Sequence, residues 1–252
     1  MNITSGLVCD FPLPGGYEIA CYDSLDSTNK EAVRLGASFG KVVLARSQTQ
    51  GKGRKGRVWH SPPGNLYMTI CTEVPKEESA PHLSFVASLA VFDVIKALVP
   101  ASQPKLKWPN DILIKNRKLS GILIEALGKK SVLVGLGVNL VSSPQGLDVR
   151  YPATDLMSEF GRKFKPKVVC SAICNRFDFW YRCWLEEGFS EVKKPWLSSA
   201  HEIGENITVS DGENIVKGRF VGLGDFGTLI LEGTDSRQHQ IAAGDIVLSR
   251  PV

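Results

Sequence analysis

Between Gly51 and Arg57 the chain sets Lys52, Arg54, Lys55 and Arg57 among Gly51, Gly53 and Gly56. Glycines let the backbone come close to a ligand, and lysine and arginine offer charge and paired N–H donors to carboxylate or phosphate. Trp59 follows, with a ring suited to stacking on an aromatic ligand or to burial. The chemistry on offer is anion binding, although a solvated surface loop has the same composition. Lys107-Trp108-Pro109-Asn110-Asp111 is the second cluster. An Asn–Asp pair entering an apolar run costs stability unless both side chains are satisfied, which points to a ligand or metal role. Lys118 stands at the margin of the next apolar run, either as a turn lysine in water or as a third cation of a site.

Three other matches fail on context. Gly51-x-Gly53-x-x-Gly56 spells the dinucleotide fingerprint, but Pro62 and Pro63 stand where its pyrophosphate-binding helix should run. Asp225-Phe226-Gly227 suggests a kinase, yet the sequence has no His-Arg-Asp triplet and only twenty-five residues follow. Gly36-Ala37-Ser38-Phe39-Gly40 fits a nucleophile elbow but runs helix, turn, strand, the reverse of the required order.

The elements that must hold these clusters follow from periodicity. Thr28 and Glu31 read as a capping box opening a helix to Gly36. Residues 41–46 and 65–74 read as strands. Leu83, Val86, Ala87, Ala90, Val91, Val94, Ile95 and Leu98 mark one stripe of an amphipathic helix. Residues 111–115 and 118–127 form a hairpin about Asn116-Arg117, and 131–140 a neighbouring strand. Cys170, Ile173, Cys174, Phe177, Tyr181 and Trp184 fall at helical spacing, the cysteines as core residues. After Trp196 come short β-rich runs with turns at Asp211-Gly212, Gly222 to Gly224 and Gly244-Asp245. The pattern is α+β, a mixed or antiparallel sheet packed with helices, followed by a small β-barrel from about Ile203. The expected division is 1–202 and 203–252.

The chain has 252 residues and a formal net charge of +4, with 43% hydrophobic and 22% charged residues. These values exclude a disordered chain and a coiled coil. The small positive excess is concentrated in the glycine loop, so bulk nucleic-acid binding is not expected. The longest apolar run carries Asp93 and Lys96, no signal or transit peptide is visible, and no CxxC occurs among six cysteines. The expectation is a soluble cytoplasmic protein with unpaired cysteines and no membrane partner, an organelle remaining open.

Taken together, the segments resemble the biotin protein ligases (holocarboxylase synthetases). The matching stretches are Asp26-Ser-Thr-Asn29, Gln48 to Arg57, Lys107 to Asp111, Arg117-Lys-Leu-Ser-Gly-Ile-Leu-Ile-Glu125 and Gly135-Leu-Gly-Val-Asn139, in order. The resemblance implies a class II synthetase-like catalytic domain and an SH3-like barrel. It implies two steps: biotin and MgATP give biotinyl-5′-AMP and pyrophosphate, and a lysine of a biotin carboxyl-carrier domain then attacks the acyl-adenylate. ATP, biotin and Mg²⁺ are the implied small molecules, in a monomer or homodimer. Joining a carboxylate to the α-phosphate brings two anions together, so fixed cations must offset the developing charge. By resemblance Arg54 and Lys118 do so. Ser27, Thr28, Asn29, Gln48, Lys52, Gly53 and Gly121 match the biotin positions, and Trp59, Asn110 and Asn139 the nucleotide positions. Asp111 is left to hold Mg²⁺ or to steer the incoming lysine. Lys52 departs from the arginine of many relatives and loses its planar fork. Only twenty-five residues precede Asp26, so a ligase without the DNA-binding domain of the ligase-repressors is expected. Lipoate–protein ligase is the enzymatic alternative. The barrel shows no catalytic cluster, and its expected task is ATP use or carrier docking.

Overall fold

Apolar residues recurring every second position build the sheet on which everything else rests. The computed structural model describes residues 12–144, 152–200, 203–210 and 214–247. Seven strands form the main sheet: β1 (Glu18–Leu25), β2 (Lys41–Gln48), β3 (Leu66–Glu73), β4 (Lys105–Lys107), β5 (Asp111–Ile114), β6 (Arg117–Leu127) and β7 (Ser131–Val138). Their order is β1-β2-β3-β7-β6-β5-β4. β1 runs parallel to β2 and the remaining pairs are antiparallel, so the sheet is mixed. The β5–β6 hairpin turns at Lys115 and Asn116, both with positive φ. That is one residue earlier than expected. β1 was not foreseen, because Glu18–Leu25 lacks clean alternation.

Leu66, Met68 and Ile70 of β3 and Val132, Val134, Leu136 and Val138 of β7 face the helices and join the main core. Against them packs α2 (His82–Leu98), followed outward by α4 (Pro166–Glu187) and α5 (Phe189–Ser198). α2 departs from a single-stripe helix. Ser84, Phe85, Ser88 and Leu89 are buried as well, because the sheet covers one side and α4 and α5 another. Such all-round burial marks a core helix. The segment Glu77–Leu98 is long and apolar enough to cross a membrane by composition, but its apolar residues are spent in this core. The expected cysteine and aromatic stripe of α4 is buried as read.

The opposite face of the sheet carries α1 (Thr28–Arg34), seated on Val43, Cys71 and Leu133 through Ala32. The capping box is not formed. Ser27 is the N-cap without a side-chain cap bond, Thr28 turns to Gln48 and Thr69, and Glu31 pairs with Arg34. The disulfide expectation is corrected too: Cys21 is disulfide-bonded, whereas Cys71, Cys170, Cys174 and Cys183 are free.

A short helix α3 (Leu156–Phe160) is capped by Asp155, whose carboxylate accepts from Ser158 N at 2.8 Å. The C-terminal strands β8 (Asn206–Ser210), β9 (Ile215–Leu223), β10 (Leu229–Glu232), β11 (Gln238–Ile241) and β12 (Asp245–Ile246) form an antiparallel sheet ordered β11-β10-β9-β8-β12. The turn expected at Asp211-Gly212 lies outside the described residues. Gly222 belongs to β9 at a register shift, and the chain turns beyond it, from Gly224 to Gly227. This sheet is not a detached unit. Phe220, Leu229, Leu231 and Ile246 share one apolar core with Trp108 and Phe85.

The Asp225-Phe226-Gly227 turn joins the two sheets through its carbonyls. Trp108 Nε1 donates to Gly227 O at 2.9 Å, and His82 Nε2 lies 2.7 Å from Asp225 O. Trp184 Nε1 donates to His82 Nδ1, which fixes the neutral ring with its proton on Nε2. Burial pushes the His82 pKa down, partly offset by the Asp225 carbonyl. Below about pH 6.5 the unfolded chain therefore binds a proton that the folded ring resists. Stability is expected to fall as pH drops from about 6.5 toward the lowered value. Denaturant unfolding between pH 7.5 and 5 should show a shallower slope in His82→Gln.

Candidate active site

Alternation fixes the floor of the site. On β7, Leu133, Gly135 and Gly137 turn away from the helical core, and their register partners on β6 are Glu125, Leu123 and Gly121. Above these glycines lies a cavity of about 400 Å³, within the size range of small-molecule sites. Missing side chains create the room. A Cβ on Gly137 would stand 2.4 Å from Trp59 Cε2, and one on Gly135 2.7 Å from Asn29 Oδ1. Trp59 therefore lies on the glycine floor, its Nε1 buried and without a hydrogen-bond partner among the described residues.

The start of α1 and the end of β2 supply a polar end. Thr28 N donates to Gln48 Oε1 at 2.9 Å, and Gln48 Nε2 donates to Ser61 Oγ at 3.0 Å. Ser27, Thr28 and Asn29 are buried there. The glycine loop forms a wall. It closes as a small hairpin, with Lys52 bridged to Val58, Gly53 N donating to Arg57 O, and Lys55 in the left-handed region that completes the turn.

The cations are held by carboxylates from two distant parts of the chain. Arg54 Nη1 reaches Asn110 Oδ1 at 3.2 Å and Asp245 Oδ1 at 3.3 Å, and Arg57 Nη2 reaches Asp245 Oδ2 at 2.7 Å. Burial raises the Asp245 pKa, but the Arg57 and Arg54 charges outweigh it and the net shift is downward. On the opposite wall Lys118 Nζ stands 2.5 Å from Asp111 Oδ1, and Lys107 Nζ 3.5 Å from Asp111 Oδ2. Asp111 is lowered in the same way: burial opposes ionisation, and the Lys118 and Lys107 charges win. Lys107, only 1% exposed, is lowered by that burial despite Asp111 beside it.

Ser27, Thr28, Asn29, Gln48, Lys52, Gly53, Arg54, Trp59, Asn110, Asp111, Lys118, Gly121 and Asn139 all line this one cavity. Sequence reasoning missed Asp245, whose sheet was expected to hold no catalytic cluster and to serve ATP use or carrier docking. It also missed Lys107 as a charge partner and Gly135 and Gly137 as the floor. For the glycines a signal existed, the period of two along β7. For Asp245 there was none, because only tertiary packing joins position 245 to position 54.

Asp111 does not fit a magnesium ligand. Both its oxygens face ammonium groups, which leaves little negative charge for a cation. Among the described residues there is also no group of three His, Cys, Asp or Glu side chains that could hold a metal.

The model of the biotin/lipoate A/B protein ligase family matches residues 21–139, and that of the biotin protein ligase C-terminal domain matches residues 203–249. The biotin–[acetyl-CoA-carboxylase] ligase of Paracoccus denitrificans is 38% identical over 224 residues, covering 84% of this chain and 93% of that protein. The chain belongs to the biotin protein ligase family. The bifunctional ligase/repressor BirA of Bacillus subtilis is 34% identical, over 92% of this chain and 74% of that protein. Among solved structures, the biotin protein ligase from Aquifex aeolicus in complex with biotin and ATP superposes with a TM-score of 0.80 at 27% identity, covering 93% of this chain and 99% of the other.

In this ligase the glycine floor makes a sharp prediction. Gly137→Ala forces the Trp59 indole to move, since a 2.4 Å contact cannot persist. Overpacking of this kind costs about 1–3 kcal/mol of stability. Denaturant unfolding should show that loss, and because Trp59 lines the cavity, steady-state kinetics should show a raised KM for whichever substrate packs on its ring, which the resemblance implies is ATP.

Proposed function

We propose that this cavity joins the carboxylate of biotin to the α-phosphate of ATP, and that the enzyme then passes the biotinyl group to a lysine of a biotin carboxyl-carrier domain. One observation carries the reading. Lys52, Arg54, Arg57 and Lys118 line the cavity against only Asp111 and Asp245, so positive charge is in excess until anions enter. In the first step a carboxylate oxygen of biotin attacks the α-phosphorus, the bond to the β-phosphate oxygen breaks, and pyrophosphate leaves with that electron pair. Lys118 and Arg54 offset the charge that builds on the non-bridging oxygens. In the second step the acceptor amine attacks the acyl carbon, AMP leaves, and one proton is released. Asp111, clamped by two lysines, is a positioning group for Lys118.

Ser27, Thr28 and Gln48 form the polar slot proposed for the ureido ring, with Asn29 beneath it, Gly121 in the floor and Lys52-Gly53 closing it. Trp59, Asn110 and Asn139 are assigned to the nucleotide. The division into a catalytic part, 1–202, and a C-terminal part, 203–252, belongs to the same reading. The second part contributes Asp245 to the glycine loop rather than only docking a carrier. The acceptor is a carboxylase carrier domain in the cytoplasm.

Exchange of labelled pyrophosphate into ATP tests the substrate. Exchange dependent on biotin and absent with lipoate is the expected result. Exchange with lipoate alone would move the chain to the other branch of the family.

A further inference from the structure

Beneath the slot runs a chain of hydrogen bonds with one consistent direction. Glu125 Oε2 accepts from Asn29 Nδ2 at 2.5 Å. A carboxylate only accepts, so this contact fixes the Asn29 amide with Oδ1 turned the other way. Asn29 Oδ1 meets Thr69 Oγ1 at 2.5 Å, and an amide oxygen also only accepts, so Thr69 spends its single proton there. Thr69 Oγ1 lies 2.8 Å from Thr28 Oγ1. With its own proton spent, Thr69 must accept from Thr28. Thr69 is fully buried and Thr28 and Asn29 nearly so, which leaves water little room to relax the pattern.

The consequence falls on the cavity. Thr28 Oγ1 also lies 3.2 Å from Gln48 Oε1, to which it would otherwise donate. Gln48 is itself oriented, because its Nε2 donates to Ser61 Oγ and its Oε1 accepts from Thr28 N. Once the Thr28 proton is drawn toward Thr69, Thr28 Oγ1 and Gln48 Oε1 each keep a lone pair for a ligand.

We propose that Glu125, Asn29 and Thr69 form a directional relay, in which Thr69 is the positioning residue, that holds Thr28 Oγ1 and Gln48 Oε1 as a paired acceptor for a ring N–H of the substrate. The proposal rests on the biotin reading, whose ureido ring supplies such a donor. The dithiolane ring of lipoate has none, so the relay also explains discrimination. A site built to accept N–H groups rejects a ligand lacking them because its buried acceptors are left unpaired.

The test is pyrophosphate exchange with KM measured separately for biotin and ATP. Thr69→Val removes the acceptor for the Thr28 proton, which then turns to Gln48 and consumes one of the two lone pairs. The KM for biotin should rise about tenfold, the worth of one hydrogen bond, with the KM for ATP and kcat unchanged. Thr69→Ser should restore it. Glu125 is exposed, so variants there keep the fold. Glu125→Lys donates where the carboxylate accepted, flips the Asn29 amide and reverses the chain, and should raise the biotin KM as Thr69→Val does. Glu125→Gln, which still offers an acceptor, should not. A biotin KM within twofold of wild type in both Thr69→Val and Glu125→Lys would overturn the relay, as would equal rises in both KM values. Absence of biotin-dependent exchange in the wild type would instead overturn the reading beneath it, and the relay with it.

Discussion

Lys118→Met is expected to slow formation of biotinyl-AMP by about 30- to 1,000-fold, the loss of about 2–4 kcal/mol that follows removal of one fixed charge from a developing oxyanion. Methionine keeps the length of the side chain and removes the ammonium. The lysine side chain is only partly exposed, and its Nζ stands 5.4 Å from the Trp59 ring centroid, so the apolar stem keeps its packing surface. Folding should survive, since Asp111 keeps Lys107 as a counter-charge. A single-turnover assay with biotin and ATP in the absence of acceptor measures the step directly. Adenylate formation at the wild-type rate would take Lys118 out of the chemistry.

Asp111→Ala should act on stability first. Lys107 is buried, Asp111 lies 3.5 Å from it, and the charges of Asp111 and Asp245 both favour its ammonium. Removing one carboxylate from a buried ion pair costs about 3–5 kcal/mol. The sign with pH follows from Lys107. Burial already holds its pKa below the ordinary value, and losing Asp111 lowers it further. Between that lowered pKa and about pH 10.5 the unfolded chain binds more protons than the folded one, so the deficit shrinks as pH rises through that window. Urea unfolding at pH 7 and pH 9.5 checks both magnitude and direction. Asp111→Leu, which offers packing without charge, should show the same shrinkage.

These two groups also show what the sequence carries and what it does not. Lys118 and Asp111 stand out because charge at the edge of an apolar strand is costly unless something repays it, and that cost is visible one residue at a time. The β5–β6 hairpin and the helix through Cys170 and Trp184 were legible for a related reason: local periodicity reports which side of an element is buried. α2 was legible as a helix but not as one buried on both sides, because its second cover, α4, lies some 80 residues away. The capping box at Thr28 failed because function competes with local propensity there. The Thr28 hydroxyl that would cap the helix turns instead to Thr69 Oγ1, 2.8 Å away, beside the cavity. Asp245 could not be read at all, since nothing within its own strand says that it will meet Arg54 and Arg57.

An enzyme-bound acyl-adenylate is the species that distinguishes this chemistry from any other route to a biotinylated lysine. The wild-type protein, mixed with biotin and MgATP without acceptor and separated rapidly from free small molecules, should carry about one biotinyl-AMP per cavity, identified by mass spectrometry after denaturation. Pyrophosphate should be released in equal amount. Addition of a biotin carboxyl-carrier domain should then discharge the adenylate as AMP and biotinylated lysine. Biotinylation of that lysine without any enzyme-bound adenylate, or ADP and phosphate in place of AMP and pyrophosphate, would contradict the account.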